Sequence, residues 1–228
     1  KVIPLAMGSG KADEASIDLM VSSQTGSGKT AAFLLPVLNT LIAQKAIEAA
    51  AEQAEFERQR AQAAASGEAA PKRAKRKNPM QSRNFKAAVP GALVLCPTRE
   101  LAQQVAQDAI ELVKHCKNLR VANVVGGMPY QLQIAKLQNA DLVVATPGRL
   151  LDLQRSLQIK LDKVQFLVVD EADRMLDLGF ADDLEEVHQM TAQRKQTMMF
   201  SATFAPRIQQ LALRVMHEGG TRVQRVQI

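Results

Sequence analysis

Short apolar runs recur along the chain, each closed by small or turn-forming residues: DLMVS (18–22), GALVLCPT (91–98), RVANVVGG (120–127), DLVVATPG (141–148), VQFLVVDEAD (164–173) and QTMMFSAT (196–203). Between them apolar residues fall at helical spacing, as at Phe33, Leu34, Val37, Leu38 and Leu41 within 29–44, and again over 99–116, 184–190 and 206–216. Strands that are apolar on both faces and alternate with helices predict an α/β fold, a mostly parallel sheet with helices on both faces. Pro36 lies inside the first helical pattern and is expected to kink it.

Residues 46–86 break this rhythm. The first half, AIEAAAEQAEFERQRAQAAA, has helix-forming composition but scarcely an apolar stripe beyond Ile47 and Phe56, so it can lengthen a helix without joining a core. The second half, PKRAKRKNPMQSRNFK (71–86), holds seven Lys or Arg and no acid and reads as a mobile polycation. That run accounts for the whole excess in a formal net charge of +6, leaving the rest nearly neutral, so net charge alone argues weakly for nucleic-acid binding. The run itself is open to three readings: a contact for RNA phosphates, a solvated tail, or a localisation address.

The remaining features narrow the class. The 228 residues suffice for one domain with a full core, read as a single lobe spanning 1–228 with an insert at about 46–86. With no apolar run of membrane-spanning length and no signal peptide in view, a soluble, cytoplasmic and monomeric protein is the expectation. Cys96 and Cys116 lie in no CxxC or histidine pattern, which gives no reason to expect a disulfide or zinc. The histidines, His115, His188 and His217, read as solvent-exposed and receive no role, while Met175, Leu176, Leu178 and Phe180 read as core or interface packing. A chain opening at Lys1 suggests a fragment or a processed product.

GSGK occurs twice, at 8–11 and 26–29. A phosphate cradle needs a strand that delivers it, glycines that let backbone N–H groups turn inward, and a helix beginning at the lysine. The second copy has these: a strand over 18–22, then Ser23, Gln24, Thr25, Gly26, Ser27 and Gly28, then Lys29 opening a helix and Thr30 offering a hydroxyl to magnesium. The first copy, followed by Ala12 and acidic residues, reads as a surface loop. Ser23 stands where the strict G-x4-G-K-[ST] pattern has its first glycine, so a partner is required. FLVVDEAD supplies it: Asp170 at the end of a buried strand to hold magnesium through its water shell, and Glu171 to orient and deprotonate an attacking water.

Taken together, these residues resemble the DEAD-box ATP-dependent RNA helicases, specifically the first of their two RecA-like lobes. The motifs run in the family's order: the nucleotide loop at 23–30, PTREL at 97–101, Gly126 and Gly127, TPGR at 146–149, DEAD at 170–173, and SAT at 201–203. The resemblance implies ATP and Mg2+ at the loop and sequence-independent RNA binding through Pro97, Thr98, Arg99, Glu100, Gly126, Gly127, Thr146, Pro147, Gly148 and Arg149. For Arg99 and Arg149 a structural salt bridge is the alternative. It also implies coupling through Ser201, Ala202 and Thr203, with Asp173 as the natural acceptor.

The sequence departs from the family in two places. The family's adenine-reading glutamine precedes an Ile-Pro pair resembling Ile3–Pro4, so it would fall before Lys1, and the stretch between Pro4 and Asp18 is several residues longer than usual. The second lobe lies outside the chain, so these residues alone are expected to be nearly inactive. Two other functions stay open: a DNA-directed translocase of the same superfamily, and a nucleotide-dependent binding module without turnover.

Overall fold

A computed structural model describes residues 1–8, 17–24, 28–75, 77–78, 81–116, 118–216 and 223–227. Of the residues singled out above, Lys11, Thr25, Gly26, Ser27 and His217 lie outside them. The strands are β1 (Asp18–Ser22), β2 (Ala92–Leu95), β3 (Val121–Val124), β4 (Leu142–Ala145), β5 (Phe166–Val169), β6 (Gln196–Ser201) and β7 (Val223–Gln227). They form one sheet in the order β3-β4-β2-β5-β6-β1-β7, and every neighbouring pair is parallel. β2, β4 and β5 are buried along their whole length, as their uninterrupted apolar sequences require in a sheet covered on both faces.

The helices are α1 (Val2–Met7), α2 (Lys29–Ser66), α3 (Arg99–Val113), α4 (Tyr130–Leu137), α5 (Pro147–Arg155), α6 (Ala172–Asp177), α7 (Ala181–Met190) and α8 (Pro206–Val215). Two apolar clusters divide the core. Val2, Phe33, Leu34, Val37 and Val105 bring α1, α2 and α3 onto one face, and Phe33 meets Phe200 of β6 edge-on at 5.2 Å. Leu137, Leu150, Met175, Leu184 and Ile208 bring α4 to α8 onto the other. Because the strands are parallel, all their carboxyl ends lie along one edge of the sheet and all their amino ends along the opposite edge.

α2 runs through Pro36 and on to Ser66, as the helix-forming Ala/Glu/Gln/Arg sequence of the insert's first half allows. Two expectations change. One window of α2 has a mean hydropathy of 1.4, enough by length and composition to cross a membrane, contrary to the expected absence of such a run. Its buried apolar residues Phe33, Leu34, Val37, Leu38 and Leu41 pack into the core. Finally, His188 is half-buried with its Nδ1 at 2.7 Å from Arg194 Nη2, whereas His115 is exposed.

Candidate nucleotide and RNA site

Three adjacent strands, β5, β6 and β1, each end on a buried polar side chain that has no hydrogen-bond partner: Asp170, Ser201 and Ser23. Unsatisfied buried polar groups are rare and costly, so three side by side on one edge mark a place built for something other than stability. Two backbone bonds and one side-chain bond fix the ends there: Ser23 N donates to Ser201 O at 3.0 Å, Asp170 N to Leu95 O at 2.9 Å, and the Ser22 hydroxyl Oγ to Ala202 O at 3.2 Å.

Lys29 opens α2 beneath this row. Gly28 precedes it at φ 77°, a left-handed conformation suited to glycine. The Lys29 Nζ lies 3.1 Å from Asp170 Oδ1 and 3.4 Å from Glu171 Oε1, so one ammonium faces both carboxylates. Only the contact with Glu171 has hydrogen-bond geometry; Asp170 receives charge but no hydrogen bond at either oxygen. Burial lifts the Asp170 pKa above the ordinary carboxylate value, with Lys29 opposing that shift. Burial likewise works against the Lys29 charge, but Asp170 and Glu171 outweigh it and its pKa is raised. Cys96, buried at the end of β2, has its thiol pushed well up by burial and by the same two carboxylates. Glu171 adopts φ 50° and ψ 55°, a left-handed conformation that costs a non-glycine residue about 1–2 kcal/mol.

These donors fit magnesium in one specific sense. Among the described residues no group of three or more His, Cys, Asp or Glu side chains could cage a metal. A buried carboxylate whose ion-pair partner is the Lys29 ammonium, with no hydrogen bond at either oxygen, suits an ion that keeps most of its waters and shares phosphate oxygens.

The other half of the same edge, β3-β4-β2, carries the remaining motifs. Thr98 caps α3, its Oγ1 accepting from Leu101 N at 3.3 Å, while Pro147 occupies the first turn of α5 after Thr146. Two helix N-termini thus lie beside each other, with Arg99, Glu100 and Gly148 exposed. Both arginines converge on the β3–α4 turn. A Cβ at Gly127, φ 78°, would sit 2.6 Å from Arg99 Nη1, so glycine there lets the guanidinium lie against the backbone. Arg149 Nη1 donates to Gln133 Oε1 at 3.2 Å and to Met128 O at 3.5 Å, and its guanidinium lies 5.5 Å from the Tyr130 ring. Neither arginine has a carboxylate partner among the described residues, so the salt-bridge alternative has no counterpart here.

The SAT residues are arranged differently from expectation. No hydrogen bond joins Ser201 or Thr203 to Asp173; Ser201 Oγ is buried without a partner and Thr203 is exposed. Sequence reasoning missed Gln133 and Tyr130, which orient Arg149. Gln133 is 1% exposed and also donates to Val125 O at 2.8 Å, but its polar identity in a short helix hides this role. Ile3 and Pro4 lie in α1, which packs on α2.

The fold and its polar edge define a RecA-like α/β domain. A model of the DEAD/DEAH box helicases matches residues 1–211, and the chain belongs to that family. It is 44% identical over 200 residues to a DEAD-box ATP-dependent RNA helicase 52A from Oryza sativa subsp. japonica, covering 86% of this chain and 29% of that protein. It is 36% identical over 202 residues to the ATP-dependent RNA helicase DbpA of Escherichia coli K12, covering 88% of this chain and 35% of the relative. The chain therefore spans about a third of the length of such relatives. Among solved structures, a hypothetical ATP-dependent RNA helicase from Sulfolobus tokodaii superposes with a TM-score of 0.71 at 30% identity, covering 100% of this chain and 51% of that one.

Proposed function

We propose that this chain is the ATP-binding lobe of an ATP-dependent RNA helicase, one RecA-like unit interrupted by an insert at about 46–86. The observation that carries the reading is Lys29 held between Asp170 and Glu171 at a strand-end row of unsatisfied polar groups. Lys29 faces the β and γ phosphates, the loop from Ser23 to Thr30 cradles them, and Thr30 with Asp170 holds magnesium. Magnesium when bound neutralises charge that develops on the transferred phosphoryl group. Glu171, partly exposed beside Lys29, orients the attacking water and takes its proton.

Arg99 and Arg149, free of carboxylates and flanked by two helix N-termini, bind RNA phosphates without reading bases. Gln133 and Tyr130 hold Arg149 in place for this. Ser201, Ala202, Thr203 and Asp173 couple the two halves of the edge, and a second RecA-like lobe of the parent protein completes both sites.

The first test is nucleotide binding measured by calorimetry in magnesium. Lys29→Ala abolishes it and Lys11→Ala leaves it unchanged; equal losses from both would overturn the loop assignment. The second compares hydrolysis by a longer polypeptide carrying this chain with RNA or DNA of equal length. Equal stimulation by DNA would favour the translocase alternative, and binding without turnover would favour the module.

A further inference from the structure

α2 carries the chain from the nucleotide edge to the opposite edge of the sheet. Gln44 Nε2 donates to Gln165 Oε1 at 2.6 Å just before β5, and Lys45 Nζ pairs with Asp141 Oδ1 at 2.9 Å just before β4. The helix then projects about 30 Å beyond that edge before it ends at Ser66, at 1.5 Å per residue. The basic run doubles back along this projection, with the Arg73 guanidinium 5.1 Å from the Phe56 ring and bonded to Gln53 Oε1. It packs through an aromatic ring and an amide, not through the helix's glutamates. Lys72, Lys75 and Lys77 are exposed, with no carboxylate partner among the described residues.

The edge from which this projection hangs is itself basic. Lys86 precedes β2, Arg120 precedes β3, Lys160 and Lys163 precede β5, and Lys195 precedes β6; all five are exposed, and none has a side-chain ion pair among the described residues. The sheet order sets them in a stripe from β3 to β6, four strand spacings or about 19 Å wide. Of the acids nearby, Asp141 is already engaged by Lys45 Nζ and by Arg120 N, and the buried Asp18 accepts from Thr197 N, so among the described residues leading into these strands Asp162 is the exposed acid against the stripe.

We propose that this amino-end edge, together with the basic run below it, is a second surface for the RNA backbone, remote from the strand-end site. The proposal rests on the RNA reading above for its choice of ligand. The helix axis covers about 24 Å from Lys29 to Lys45 at the amino-end edge and about 40 Å from Lys29 to Phe56. A stacked strand advances about 3.4 Å per nucleotide, so about 7 nucleotides reach the edge and about a dozen reach the basic run. The second surface therefore holds RNA that flanks the segment bound at the arginines, adding affinity without taking part in nucleotide chemistry.

The experiment is a salt titration of RNA binding by the 228-residue chain, using single strands of about 6 and about 30 nucleotides, chosen to fall short of and to exceed both spans. Two triple variants, Lys72→Ser with Lys75→Ser and Lys77→Ser, and Lys160→Ser with Lys163→Ser and Lys195→Ser, alter exposed side chains only. Each is expected to weaken the long strand at least tenfold at low salt and to lower the slope of log K against log salt by up to about 2, at roughly 0.7 per lost contact. Binding of the short strand stays unchanged. No effect on the long strand overturns the proposal, as does an equal loss for both lengths, which would place these cations at the first site. If wild type binds only the long strand and the variants abolish this, the second surface stands and the strand-end reading falls; if it binds neither, both fall.

Discussion

Asp170 combines full burial with a carboxylate that no hydrogen bond supports, and its pKa is raised by that burial despite the opposing Lys29 charge. Such a group stabilises the fold fully below its ordinary value of 3.8, and that contribution is lost as pH rises through the raised value, so ionised Asp170 is a cost at neutral pH. Magnesium-dependent nucleotide binding needs the ionised form. Affinity measured by calorimetry is therefore expected to fall on acidification with a midpoint above 3.8, and a midpoint at or below that value would contradict the burial argument. Lys29 follows the same direction but in a different pH range: its raised pKa gives stability that is complete below its ordinary value of 10.5, neutral pH included, and is lost as pH rises through the raised value. Glu171→Gln should keep nucleotide affinity while lowering any hydrolysis by a longer polypeptide carrying this chain about 10²–10⁴-fold, the usual worth of a general base. Gly127→Ala would force a methyl to 2.6 Å from Arg99 Nη1 and hold a left-handed φ of 78°, displacing the guanidinium. RNA affinity of the chain should fall several-fold with nucleotide affinity intact, and unchanged RNA binding would remove Arg99 from the interface.

The elements legible in the sequence are those with long or uniform patterns. Six of the seven described strands coincide with apolar runs, because residues buried on both faces leave a continuous signature. β7, VQRVQ, is an edge strand with only Val226 buried, so its sequence carries little of that signal. α1, α4 and α6 span only two turns or so, too short for a period to emerge, and α5 announces itself only by Pro147 at its start. The nucleotide and RNA motifs were readable because each is a strand end followed by a turn of required chemistry. Arg194 was not, since its role comes from tertiary packing: it is 3% exposed and donates to Thr197 Oγ1 at 2.6 Å, His188 O at 3.2 Å and Val215 O at 2.7 Å. It ties α7 and α8 to β6 even though burial lowers its pKa to about 10. Arg194→Ala leaves the buried Val215 O without that donor and removes the bonds to Thr197 Oγ1 and His188 O, an expected loss of about 3 kcal/mol. Thermal unfolding should move down by roughly 6–12 °C for a chain of this size. A shift within a degree or two would mean water replaces the guanidinium.

At the scale of the whole molecule the parallel sheet separates two kinds of surface. The carboxyl-end edge gathers Lys29, Asp170, Glu171, Arg99 and Arg149, while the opposite edge carries the projection of residues 46–86. α2 connects them, and its packing changes abruptly along its length: Leu41 is the last large buried residue, and beyond it only Ala63 is buried. The fold's contacts with the projection thus end near Gln44 and Lys45, at their bonds to Gln165 and Asp141. The returning chain rejoins the sheet at Ala88, whose N and O bond Gln158 and Lys160, and at Gly91, whose N donates to the same Asp141 backbone that lies beside Lys45. Departure and return are neighbours, so a short flexible linker can replace residues 46–86 at little entropic cost. Removing a largely exposed helix forfeits almost no apolar burial. The melting temperature of the shortened chain is expected to stay within about 3 °C of the original, less than about 1 kcal/mol at this size. Magnesium-dependent nucleotide affinity should be unchanged, and affinity for long RNA should drop as in the lysine variants. A melting temperature lowered by about 10 °C or a loss of nucleotide binding would show instead that the projection supports the fold, and would remove the division between a catalytic edge and a tethering edge.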